Sequence, residues 1–406
     1  MRSLLFLLIP SFAHANSVPV SSGHIVEVGQ EVKWEIGGAW ARVFPNAPTS
    51  DLFFAAGGDF WRIEMDGDLN ASDVDRISMT ARQNLDDHSI VPCPNGDYLH
   101  IASGKTSEPN DSAYSFMYDS EFRPIEQSVL AESVSKIKFN DMAVICHEKG
   151  RYASFIDFDV WGTVIYTFDE YGAYADHVRM PDLPLPEGGT LLEDPIRGDL
   201  ALVTSTPEKD GLYVSWLDWD LTFKETQRIL QVDRELTQSY WPQAVKIIED
   251  RIVIAYVQQP ANEGFIADWG NIWLAIFDTE WRLLENHQIT LDEAPDGTMR
   301  PGLALQGDQL WLTYDEIEQF PPGVVQPRIV PITLNLEAFD SPDLEDTSSD
   351  SGDSGATDTA DTGDSGPSKP EGCGCASKRA PLNSSWVLPG LLLVLSFRSR
   401  RSALLS

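Results

Sequence analysis

Between residues 16 and 340 the apolar positions fall in short runs separated by turns of Gly, Asp, Asn and Pro, and no segment sustains a helical period. Runs of this kind predict β-strands. Two landmarks recur in phase along them. One is an apolar strand ending in Asp-x-Asp/Glu followed by an apolar residue. It occurs as Asp66-Gly-Asp-Leu69, Asp119-Ser-Glu-Phe122, Asp218-Trp-Asp-Leu221 and Asp278-Thr-Glu-Trp281, with weaker copies at Asp169-Glu-Tyr-Gly172 and Asn335-Leu-Glu-Ala338. The other precedes it in each unit: a turn, usually Gly-Asp, that opens a second apolar strand, as at Gly96-Asp-Tyr98, Gly198-Asp-Leu200 and Gly307-Asp-Gln309.

Further strands flank each pair, so every unit reads as about four antiparallel strands. Six such units, each unable to bury its faces alone, predict a six-bladed β-propeller over residues 16–340. The last unit stops near Asp340 after its third strand. His24–Val28 or Val32–Ile36 is therefore expected to supply the missing strand and close the ring. A pair of β-sandwiches is the fold alternative, since sandwiches also give many short strands. It does not explain two landmarks repeating in phase.

Charge narrows the function. The chain has 63 acidic and 29 basic residues. Without the nine acids and one Lys of residues 341–371, the five Lys/Arg beyond them and Arg2, the body keeps 54 acids and 22 bases. The acidity belongs to the body, and such a surface repels phosphates, which excludes nucleic acid as a partner.

Both ends carry addresses. Met1–Arg2, the apolar run Ser3–Ile9 and Ala13-His-Ala15 have the order of a secretory signal peptide, with cleavage expected after Ala15. Residues 341–371 are rich in Asp, Ser, Thr and Gly and read as a disordered, self-repelling linker. Beyond it lie Gly372-Cys-Gly-Cys375, a short apolar stretch Trp386–Phe397 and Arg398-Ser-Arg-Arg401. Spacer, Gly-Cys motif, short hydrophobic segment and Arg cluster, in that order, resemble the MYXO-CTERM sorting signal of myxobacterial surface proteins. The resemblance covers only about the last forty residues and says nothing of the body. It implies processing by a sorting protease, lipid attachment at Cys373 or Cys375, and display at the outer surface of the envelope. A retained C-terminal membrane anchor is the simpler reading of the same residues.

The body holds two cysteines, Cys93 and Cys146, just before the second landmark in adjacent units. In an oxidising compartment this placement predicts a disulfide. Motifs for nucleophilic, phosphate or zinc chemistry are missing from the sequence. Asp66, Asp68, Asn70 and Asp73 alternate as oxygen ligands for Ca2+ would, but the Gly and terminal Glu of an EF-hand loop are lacking, and since Asp66 and Asp68 belong to the repeat an ordinary hairpin turn is the better account of them. Residues opening the innermost strands are the candidates for a ligand surface: Arg42, His88, Tyr240, Trp241 and Arg300. Tyr240-Trp-Pro242 and Met299-Arg-Pro301 hold matching places in their units. Aromatics and guanidinium groups there can stack on a sugar or grip a carboxylate. The expected role is a surface-displayed binding, adhesion or interaction module for a glycan or protein. The alternatives are a secreted carbohydrate hydrolase using channel carboxylates and a structural envelope component.

Overall fold

A computed structural model of the chain describes residues 18–19, 23–33, 39–46, 49–56, 59–66, 69–77, 84–105, 111–132, 137–157, 162–183, 187–205, 210–232, 237–260, 270–291, 297–306, 309–318 and 324–340. The signal peptide, the acidic linker and the tail with Cys373 and Cys375 lie outside them. The chain divides into Met1–Glu345 and Asp346–Ser406, and the described residues belong to the first unit.

Six antiparallel sheets stand in a ring, a six-bladed β-propeller. The innermost strands of successive blades are Ala39–Asn46, Asn84–Pro92, Ile137–His147, Glu187–Glu193, Thr237–Ile248 and Gly297–Gln306. From each of them the next three strands step outwards in chain order, except in the sixth blade. There the third strand, Val324–Leu334, pairs with Ile25–Val28 as the fourth, and its Arg328 and Ile329 also pair with Val32–Lys33. Of the two segments expected to close the ring, the first does so over Ile25–Val28 and the second pairs over Val32–Lys33, the rest of it lying outside the described residues. The closure is reinforced by Arg328, which is fully buried and ion-paired with Glu316 and Glu31, while the Tyr314 hydroxyl donates to Glu31.

Six hydrophobic clusters fill the six junctions between neighbouring blades. Each unit has a strand face that only a neighbour can cover, which is why the pattern needs a closed ring. The fourth–fifth junction is fixed by a buried carboxylate: Asp194 accepts both indole N–H groups of Trp216 and Trp281 at 2.7 and 2.8 Å. Burial pushes the Asp194 carboxyl up, but these indoles with the Arg197 and Ile196 amides outweigh it and hold it below the usual range. The predicted bridge joins the second and third blades through Cys93 and Cys146.

The Asp-x-Asp/Glu landmark is the hairpin between third and fourth strands. Asp119, Asp169 and Asp278 each accept two backbone N–H groups through one carboxylate oxygen, capping the turn. The fourth turn residue is left-handed: Leu69, Phe122, Leu221 and Trp281 have φ of 61°, 59°, 67° and 64°. This is the three-residue hairpin with a bulge, whose left-handed position normally takes Gly. The bulky residues tolerate it because all four side chains are buried. Burial worth about 1.5–3 kcal/mol matches the roughly 1–3 kcal/mol such a conformation costs. Gly172, at φ 79°, fills the same place without strain, which explains the weaker copy. In the sixth unit Asn335 instead starts the short helix Leu336–Asp340, because the chain leaves the blade there.

Candidate functional site: the bulged central channel

Every innermost strand carries a bulge against its second strand. The breaks fall between Ala39 and Arg42, Leu85 and Asp87, Lys138 and Ala143, Glu187 and Gly189, Tyr240 and Ala244, and Met299 and Gly302. A bulge adds an unpaired residue and re-aims the side chains beside it. Pro242 and Pro301 sit in two of these bulges, where a missing N–H breaks no ladder. The matching Tyr240-Trp-Pro and Met299-Arg-Pro segments are thus the same structural feature in neighbouring blades.

Below the bulges the six innermost strands enclose a channel cavity of about 120 Å³. Val43, Ser89, Val144, Thr190, Val245 and Leu303 form a ring of one residue per blade. Gly189 and Gly302 widen it, while Arg42 and Lys246 supply its charge. No carboxylate is among the described residues lining it. A Cβ at Gly302 would clash first with Thr313 Oγ1 and would also press on Arg42 Cδ and the Ala41 carbonyl, so this glycine makes room for the threonine and the arginine stem together.

Of the five predicted site residues, the structure brings Arg42 and Arg300 together across the junction of the first and sixth blades. Arg42 donates to the Ala41 and Arg300 carbonyls at 2.8 and 3.2 Å. Arg300, left-handed at φ 56° in its bulge, donates to the fully buried Asp315 at 3.2 Å. His88 is elsewhere: it is fully buried between the first two blades, its ring 4.9 Å from Phe60 and 5.2 Å from His100. His88 packs in the interblade core, and the cavity lining of this strand begins at the next residue, Ser89. Tyr240 and Trp241 lie in the innermost strand of the fifth blade, but their side chains are outside the described residues.

Sequence reasoning missed Lys246. It sits among the apolar residues of Ala244–Ile248, and a lone lysine inside such a run was the available signal. Burial holds its ammonium below the usual lysine range, and among the described residues it has no ion pair or hydrogen bond.

For the calcium candidates, Asp66 accepts the Asn70 backbone and amide N–H groups at 2.9–3.2 Å, the turn geometry of the other blades. Asp68 and the Asp73 side chain lie outside the described residues. Among the described residues no group of three or more His, Cys, Asp or Glu is arranged to hold a metal ion, and no helix is long and apolar enough to cross a membrane.

The molecule is by its fold a β-propeller. No family model and no curated protein matches the chain. Among solved structures it is similar to a triple arginine-to-alanine mutant of AofleA from Arthrobotrys oligospora, at 11% identity and a TM-score of 0.50 over 72% of this chain and 83% of that one. It is also similar to a Trypanosoma rangeli sialidase mutant displaying trans-sialidase activity, at 10% identity and 0.49 over 80% of this chain and 58% of that one. A third likeness is to the alpha-L-arabinanase of Cellvibrio cellulosa, at 10% identity and 0.41 over 75% and 98%. At such identities the likeness concerns fold alone.

Proposed function

We propose that this chain is a binding module displayed at the outer surface of the cell envelope, and that its channel receives an anionic group of the ligand. The observation that carries the reading is the channel lining: two cations, Arg42 and Lys246, with no described carboxylate, in a body of 54 acids and 22 bases. The acidic exterior attracts cations everywhere else, so a positive channel is a local inversion that selects one kind of group. Lys246, with no ion pair or hydrogen bond among the described residues, is partly desolvated, a cost that an incoming oxyanion relieves. Export, the flexible spacer and attachment through Cys373 or Cys375 are read from the sequence and suit a module that meets a glycan or protein outside the cell. The hydrolytic alternative requires two facing carboxylates, and the described channel lining has none.

The test is thermal melting of the full chain with acetate, phosphate, calcium, and neutral and acidic glycans. A ligand at 100 times its Kd stabilises by about 2.7 kcal/mol, a shift of roughly 5 °C or more. An anion should give this shift in the wild type and lose it in Lys246→Gln. Equal shifts in both proteins, or none with any anion, would end the channel reading. Release of reducing ends from a glycan would favour hydrolysis instead.

A further inference from the structure

A second site lies where the hairpins of the third and fourth blades meet. They flank a cleft of about 360 Å³, within the ~300–1,000 Å³ range of small-molecule sites and larger than the channel. Arg151, the second residue of the strand Gly150–Asp157, lines it. Its Nε is buried without a hydrogen-bond partner, and among the described residues Arg151 makes no ion pair. That is unusual here: Arg62, Arg76, Arg123, Arg197, Arg228 and Arg328 are all bound to carboxylates.

The other charged groups facing the cleft are Lys149, Asp176 and Asp220. Lys149 is already engaged by Glu193 and the Gly198 carbonyl, so it adds little free charge. The Asp176 carboxylate accepts only the His177 amide, at 2.7 Å, and the Asp220 carboxylate only the Thr222 amide, at 3.2 Å, among the described contacts. A carboxylate has about four acceptor sites, so each keeps capacity for a hydroxyl donor. The walls are Tyr152, Phe168 and Trp219. Tyr152 and Trp219 are held in place, since the Tyr152 hydroxyl donates to the Trp219 carbonyl at 2.5 Å and the Trp219 indole to the Gly198 carbonyl at 2.7 Å. A rigid aromatic wall, free acceptors and one unpaired guanidinium are complementary to a ring with hydroxyls and a single carboxylate.

We infer that this cleft binds an acidic saccharide, with its carboxylate on Arg151 and its hydroxyls on Asp176 and Asp220. The site is independent of the channel, so its failure leaves the channel reading standing. The probe is the disaccharide of galacturonic acid, with the disaccharide of galactose as its neutral counterpart, titrated calorimetrically into the full chain. The acidic disaccharide should bind at least tenfold more tightly than the neutral one and weaken as salt is raised. Arg151→Gln should lose at least tenfold in affinity at an unchanged melting temperature, because Arg151 satisfies no described partner. Arg151→Lys, which keeps the charge but not the planar fork, should fall between. Any binding that Lys246→Gln removes belongs to the channel, and the binding assigned to the cleft is the part that persists in that variant. Absence of binding, equal binding of the neutral disaccharide, or undiminished affinity in both Arg151 variants would overturn the inference. Loss of binding in Lys246→Gln alone would assign the ligand to the channel and overturn it too.

Discussion

Reducing the Cys93–Cys146 bridge tests how much of the ring is held by its covalent clip. Both sulfurs lie in the core between the second and third blades, and the bridge closes a loop of 53 residues containing the outer three strands of the second blade. In the chain-entropy account, releasing a loop of that length costs about 4 kcal/mol at ~25 °C. For a domain this large, an m-value of about 6 kcal/mol/M turns that into a fall of roughly 0.7 M in the guanidinium midpoint. The assay is equilibrium unfolding followed by tryptophan fluorescence, with and without reductant, beside the Cys93→Ala/Cys146→Ala double variant. Reduced wild type and double variant should fall together, the variant slightly further because each Ala leaves a small void. A midpoint that moves by less than about 0.1 M on full reduction would refute the reasoning. It would mean that interblade packing alone limits the unfolded chain's gain.

Two further predictions address the closing strand and acid stability. Arg328→Ala leaves Glu316 and Glu31 without their buried counter-ion, so it should cost about 3–5 kcal/mol in the same denaturant assay. A loss under 1 kcal/mol would show that the N-terminal strands close the ring without this network. His100 is fully buried, stacked 4.2 Å from Phe60, and burial pushes its imidazole down to about 3. Unfolded, it titrates near ~6.5, so between about pH 6.5 and 3 the unfolded state binds the extra proton. Its contribution is complete above that window and is lost as pH falls through it. His100→Phe should therefore move the acid-unfolding midpoint downwards, and an unmoved midpoint would place the acid sensitivity elsewhere.

Much of the fold was legible because it is repeated. The capped Asp of the hairpins, the buried residue three positions later and the Gly-Asp turns recur in phase, so a local rule read once predicted six blades. The bridge was legible for the same reason, since Cys93 and Cys146 hold equivalent places in adjacent units. The site was less so. Arg42 and Arg300 were found from their places at the starts of innermost strands. His88 was assigned to the same surface, and packing against Phe60 and His100 places it in the core between blades. Lys246 and Arg151 drew no attention, because a lone cation in an apolar run is a signal that does not tell whether a carboxylate meets it from another strand.

The amino-acid sequence by itself determined the strand period, the repeat, the turn chemistry and the net acidity, because each depends on residues near one another in the chain. It also carried the expectation that N-terminal residues complete the last blade. Tertiary structure alone decided which cations stay unpaired. Arg328 and Arg62 find carboxylates across strands, whereas Arg151 and Lys246 find none among the described residues. That outcome depends on which blades meet and where the bulges turn each side chain. Pairing between groups on different strands or blades depends on distances in space that sequence spacing does not encode.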